Sequence, residues 1–154
     1  MLTAIQVTQQ QEYKMAANPA VYTGENGVIK YDVAGTPTNV ASVRSFTIDQ
    51  ETATVETTTM AATGGARTYL PTLKAFSGTA DVYFRDDDVA QSALFSGIGS
   101  DPATLEVYPS GSGTGIKLTG EIIITGFSIT SNFDGLVEAS ITFQGTGPLD
   151  RQLA

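Results

Sequence analysis

Between Lys117 and Gly147 apolar residues recur at every second position in two successive runs. Phe127, Ile129 and the small Ser131 mark the first run. Val137, Ala139, Ile141 and Phe143 mark the second, with Glu138, Ser140, Thr142 and Gln144 between them. A period of two belongs to a strand with one buried and one polar face, so the stretch predicts a long antiparallel hairpin. Its turn must bring both apolar rows to one side. A two-residue Asp134-Gly135 turn would pair Phe127 with Thr142 and put the rows on opposite faces. A three-residue loop, Phe133-Asp134-Gly135, pairs Ile129 with Ala139 and Phe127 with Ile141. It also opens a type I turn at Asn132 and leaves Gly135 to take the left-handed conformation of a G1 bulge. The buried face sets the register, so the bulged turn is expected.

A chain of 154 residues has room for one domain with a real core. With 41% apolar residues and a mean hydropathy near zero, a soluble globular protein is expected. No window approaches a membrane span, and the N-terminus lacks a basic region followed by an apolar run, so no secretory signal is expected. The sequence contains no cysteine, histidine or tryptophan. That removes disulfides, the usual zinc ligands, the Ser-His-Asp triad and the thiolate nucleophile together. Carboxylate chemistry stays open. Sixteen acidic against eight basic residues give a formal charge of −8, and Lys14, Lys30, Arg44, Arg67, Lys74, Arg85, Lys117 and Arg151 are scattered. Such a surface repels a phosphate backbone.

Residues 1–27 predict an N-terminal arm, and residues 28–154 a single β-rich domain. The arm holds polar and turn-forming groups such as Gln9-Gln10-Gln11, Asn18-Pro19 and Gly24-Glu25-Asn26-Gly27. It is either a frayed terminus or a segment ordered against a neighbouring subunit. Alternation begins with Ile29, Tyr31 and Val33, followed by an expected loop over residues 34–39. Strands are expected over 43–50, with Phe46 and Ile48 inward, over the Thr-rich 53–59, and over 74–84. Residues 60–71, containing Gly64-Gly65, predict a long loop, a length that usually serves a function. Asp86-Asp87-Asp88 then precede Val89, Ala90, Ala93, Leu94 and Phe95, with Gly97 after them. This predicts a helix of about three turns, with Asp88 and Gln91 resembling a capping box and Gly97 supplying the stop. Leu105, Val107 and Tyr108 predict a further strand. Many short strands, one helix and no βαβ alternation indicate an antiparallel β-sandwich or barrel with one flanking α-helix.

Three patterns invite a chemical reading. The Asp86-Asp87-Asp88 run lacks the alternating oxygens, Gly and distant Glu of a calcium loop and fits a helix cap. Gly111-Ser-Gly-Thr-Gly115 lacks the Gly-Lys-Ser/Thr ending that opens a helix in a phosphate loop, and fits a hairpin tip. The carboxylate pairs Asp49 with Glu51 and Glu121 with Glu138 could serve as glycosidase acid and nucleophile. Without tryptophan platforms, solvated strand faces fit them better. No catalytic residue, metal site or cofactor is expected.

A strand ending Ser45-Phe-Thr-Ile-Asp49 is followed by Glu56-Thr-Thr-Thr-Met60, a Gly-containing loop through Tyr69-Leu70, and Ser77-Gly-Thr-Ala-Asp-Val82. Then come the acid-capped helix, Val107-Tyr-Pro109, and Gly126-Phe-Ser-Ile129 closing with Gly145-Thr-Gly147. Over residues 43–147 this order resembles the major tail tube proteins of tailed bacteriophages. The resemblance implies a structural virion protein, not an enzyme, that assembles with itself into hexameric rings stacked as the tail tube. Other tail proteins would meet the tube ends, and DNA would pass through during ejection without specific binding or any membrane. Met60, Gly64, Gly65, Arg67 and Tyr69 would form a subunit-contact loop. Asp49, Glu51 and Glu138 would face the lumen, where an acidic wall repels DNA. Alternatives are a secretion-system tube ring, another virion component such as a decoration protein, a monomeric carbohydrate- or surface-binding β-sandwich, and a carboxylate enzyme.

Overall fold

A computed structural model of the protein describes residues 22–60, 64–113 and 115–154. Seven strands follow a 3-10 turn at Gly24–Asn26. They are β1 (Val28–Val33), β2 (Thr36–Asn39), β3 (Val43–Glu56), β4 (Tyr69–Tyr83), β5 (Ala103–Tyr108), β6 (Ile116–Thr130) and β7 (Glu138–Leu153). One α-helix, α1 (Val89–Ser96), lies between β4 and β5. All seven strands join one antiparallel sheet in the order β2-β1-β5-β6-β7-β4-β3. The sheet rolls on itself: a Cβ built on Gly27, just before β1, would lie 3.1 Å from the ring of Phe46 on edge strand β3. The roll encloses Ile29, Val107, Ile122, Ile124, Val82, Ile141 and Phe143, and α1 adds Ala90 and Leu94 to that core. This is the expected antiparallel architecture with one flanking helix.

The hairpin register is as the alternation demands, with Ile129 opposite Ala139 and Phe127 opposite Ile141. The turn differs. Gly135 N–H donates to Asn132 C=O at 3.2 Å, as in a type I turn, but Gly135 is not among the positive-φ residues. Pairing ends at Thr130↔Glu138, so residues 131–137 form a wider loop and no G1 bulge is needed. A bulge sits instead between Ile124 and Gly126. The extra residue, Thr125, flips the parity of β6, so that Ile122 and Ile124 and then Phe127 all face inward.

Other expectations require correction. Residues 34–39 are not a loop. Ala34 and Gly35, with φ of 52° and 85°, make a two-residue turn of the I′ kind and send the chain back as β2. The strands over 43–50 and 53–59 are one strand, β3, continuous through an irregularity between Thr52 and Thr54. β3 ends at Glu56 and β4 starts at Tyr69, so the connection between them lies three residues earlier than expected, over residues 57–68 instead of 60–71.

The helix has eight residues, a little over two turns rather than three. Asp88 is its N-cap, accepting from Ala90 N–H at 3.3 Å and also from Ala41 N–H at 3.0 Å. Gln91 does not complete a capping box. Its side chain is buried and serves three backbone groups of neighbouring segments. The expected N-terminal arm falls mostly on residues 1–21, outside the described residues.

Candidate assembly surfaces

The solvent-facing side of β3, β4, β7 and β6 is a broad polar wall. Its rows follow from the register. Ser45, Asp81, Ser140 and Ser128 form one; Thr47, Thr79, Thr142 and Gly126 the next; Asp49, Ser77 and Gln144 a third. Glu51 extends the wall at one end opposite Ala75, and Tyr83, Glu138 and Thr130 close it at the other. Asp49, Glu51 and Glu138 therefore share one exposed face. Arg44 sits at the irregularity between Val43 and Ser45. It donates to the Glu138 carboxylate and lies over the Tyr83 ring. Ser45 Oγ donates to Asp81 Oδ2 at 3.0 Å. Opposite this wall the same strands bury Phe76, Ala80, Val82, Ala139, Ile141 and Phe143.

Both lateral edges of the wall are open among the described residues. β3 ends the sheet on one side. On the other, β5 pairs with β6 only as far as Ile122, and a parallel bridge from Ile98 reaches Ile124. Residues 125–130 have no strand outside them. Unpaired edges with little charge are templates for another sheet.

Below Gln50 and Phe76 the β3–β4 pair leaves the rest of the sheet as a two-stranded ribbon, because β4 meets β7 only from Ser77 upward. Val55, Met60, Tyr69, Leu70 and Leu73 are exposed on it. An isolated ribbon is marginal in water, and these exposed apolar side chains are of the kind that contact surfaces bury. Of the expected contact loop, Met60, Gly64, Gly65 and Arg67 lie at the ribbon's end, while Tyr69 begins β4 opposite Glu56 and is a strand residue. Arg67 is 3.7 Å from Glu56, which ties the ribbon's end together.

Neither of the two expected carboxylate pairs is placed for catalysis. Glu121 and Thr130, the partner of Glu138, are nine positions apart on β6 (130 − 121), about 30 Å. Glu121 accepts from Thr104 at 2.8 Å instead. Asp49 and Glu51 stand on an open strand surface. Among the described residues no three His, Cys, Asp or Glu side chains gather as a metal site, and no helix is long and apolar enough to cross a membrane.

A second polar cluster lies on the outer side of β1, β5 and β6. Tyr108 Oη donates to Glu106 at 2.7 Å, Lys117 Nζ stands 3.4 Å from the same carboxylate, and Lys30 lies 5.0 Å from the Tyr108 ring centre. Burial alone would push Glu106 up, but the Tyr108 hydroxyl, Lys117 and Lys30 outweigh it and hold the carboxyl below its usual range. Burial and the bond to Glu106 push Tyr108 up to about 12.

Sequence reasoning missed Arg44, the open β6 edge and the role of Gln91. Only the β3 irregularity and the end of β5 reveal the first two.

A profile of the phage tail tube protein family matches residues 21–151. No curated protein matches the sequence significantly. Among solved structures, one similar chain comes from the tail of an empty gene transfer agent particle refined with C6 symmetry. It has 21% identity and a TM-score of 0.70, covering 86% of this chain and 99% of that one. The SPP1 tail tube gives 17% identity and a TM-score of 0.67, covering 87% and 80%. A sheath–tube complex of an extracellular contractile injection system gives 10% identity and a TM-score of 0.67, covering 92% and 97%. At these identities the structures establish a shared fold.

Proposed function

We propose, for a chain that belongs to the phage tail tube protein family, that six copies close into a ring and that rings stack into the tube of a virion tail. The observation that carries this reading is the four-stranded wall with both lateral edges open. β3 of one subunit pairs with residues 125–130 of the next, a head-to-tail contact that closes when the rotation fits. The gene transfer agent tail of the same fold was refined with C6 symmetry, which supports six as the number.

In that ring the polar wall lines the lumen, with Asp49, Glu51, Asp81 and Glu138 facing inward among serines and threonines. Fixed negative charge keeps a passing polyanion from adhering, and short hydroxyl side chains leave the bore smooth. The ribbon end, with Met60, Gly64, Gly65, Arg67 and Tyr69, buries its apolar groups on an adjacent subunit. The role is structural, with other tail proteins at the tube ends. The contractile injection tube has the same fold at a similar TM-score, so an injection tube is the second reading. Encapsidated DNA in particles carrying this chain separates the two.

Negative-stain electron microscopy over rising concentration, with light scattering alongside, tests the assembly. Six-fold rings or tubes with a central hole are expected. A chain that stays monomeric even with tail-end proteins added would overturn the proposal.

A further inference from the structure

The sheet carries a recess at one pole and an apolar projection at the other. β4 and β7 part below Ser77 and Gln144. β4 continues with β3 and β7 continues with β6, through a register jump from Thr119↔Asp150 to Glu121↔Thr146 that leaves residues 147–149 without partners on β6, with Leu149 packed against the core. Gln144 Nε2 donates to Phe76 C=O at 2.9 Å and closes the apex of the gap. Below it opens a notch of about 580 Å³ between Leu73, Lys74 and Phe76 on one wall and Pro148, Leu149 and Asp150 on the other. Leu73 is 83% exposed there, and the β4 edge facing the notch has no strand partner among the described residues.

At the far end of the same strands, loop 131–137 joins β6 to β7. Phe133 and Leu136 stand in solvent at its tip. From Glu138 to Pro148, ten positions of strand (148 − 138) separate loop from notch, about 33 Å. Asp150 also lines the notch; Asp134 is the loop's only charge, and Lys74 is the only cation lining the notch among the described residues. Neither has an ion-pair partner among the described residues. The projection and the recess lie at opposite poles of one chain. They satisfy each other in a head-to-tail stack.

We propose that the loop tip of one copy seats in the notch of the next copy along the tube. Phe133 and Leu136 pack against Leu73 and Leu149, and Asp134 approaches Lys74. The inference rests on the tube reading and supplies its contact between rings. Burial of exposed aromatic and aliphatic side chains drives the seating, and the attraction of Asp134 to Lys74 on one wall, away from Asp150 on the other, fixes its direction.

The natural chain has no cysteine, so introduced thiols report on this contact alone. Leu73→Cys with Phe133→Cys in one chain, oxidised in assembled tubes, should give a ladder of covalent multimers on a non-reducing gel. Either variant by itself should give none, and a mixture of the two should stop at dimers. Both positions are exposed, so folding is preserved, and an unchanged Tm checks it. Separately, Phe133→Ser with Leu136→Ser should leave rings of normal diameter and abolish stacks. Tubes without a ladder, full-length tubes from F133S/L136S, or loss of rings together with stacks would each overturn the contact while leaving the tube reading intact. A natural chain that forms no ring at all would overturn the tube reading itself.

Discussion

Arg44 donates to Glu138 across the open end of the polar wall, and its guanidinium carbon lies 5.2 Å from the centre of the Tyr83 ring. Over residues 43–51, 75–83, 125–130 and 138–144, which form that wall, Arg44 is the only cation facing solvent with the acidic row. The pair thus removes the one group on this face that would hold a phosphate.

Replacing the carboxylate tests this directly. Both side chains are nearly half exposed, so Glu138→Gln should cost less than about 1 kcal/mol of stability. Its effect should appear in DNA retention. Tubes of E138Q are expected to hold duplex DNA at low ionic strength and release it as salt rises. The Arg44→Gln, Glu138→Gln double variant should hold none. Co-sedimentation of labelled DNA with tubes reads both, and equal retention by E138Q and the natural chain would argue against placing this wall in the lumen.

Gln91 links the helix to the strand ends. Its Oε1 accepts from Arg85 N–H at 2.9 Å, and its Nε2 donates to Ala41 and Tyr83 C=O at 3.0 and 3.1 Å. At 1% exposure no solvent stands ready to replace it. Gln91→Leu keeps the bulk and strands three backbone groups, which should cost about 3 kcal/mol. Urea denaturation would show it as a lowered midpoint with unchanged slope.

Phe76 fills the space that two glycines leave. A Cβ on Gly145 would overlap its ring, and one on Gly120 would lie 2.6 Å from it. Gly145→Ala should therefore destabilise by about 1–3 kcal/mol through overpacking. In a Phe76→Leu background most of that penalty should vanish, a coupling that a double-mutant cycle measures.

How far the fold was legible depended on whether a segment has one buried face. Phe127 to Phe143 alternate because one face meets the core, so the register followed from parity. Asp88 marked the helix start by its capping chemistry, Gly97 stands at its end but with φ of −79° takes no left-handed cap, and Asp49 and Glu51 share a face by simple count. The stretch Glu51-Thr-Ala-Thr-Val-Glu56 is exposed on both sides, so no pattern records where that strand ends, and the sequence reads as two strands, over 43–50 and 53–59, followed by a loop over 60–71. Arg44 was hidden for a different reason. Counted back from Phe46 and Ile48 it should point inward, and the irregularity beside Ser45 turns it outward. Bulges leave no trace in composition. The open edge of β6 was out of reach as well, since it exists only because β5 is short.

The Glu106–Tyr108 pair makes stability depend on pH at both extremes. The Glu106 carboxyl is held below its ordinary value of 4.5, so its contribution is present above about pH 4.5 and is lost as the pH falls through the lower folded value. Tyr108 behaves oppositely. Its phenol ionises near 10 when unfolded and at about 12 when folded. That contribution is fully present below pH 10 and disappears between about 10 and 12, where the unfolded chain gains a phenolate that the fold resists. Tyr108→Phe removes the alkaline component and also takes a hydrogen bond from Glu106, letting that carboxyl rise. Urea midpoints followed against pH should fall less steeply above pH 10 in Y108F than in the natural chain. Part of the slope should remain, because burial and then Asp32 raise Tyr31 as well. At the acid end, Y108F should lose less of its stability as the pH drops, since less of it depended on an ionised Glu106. Identical profiles for the two proteins would mean that the Tyr108 hydroxyl is solvated in solution and that the cluster does not hold the pair together.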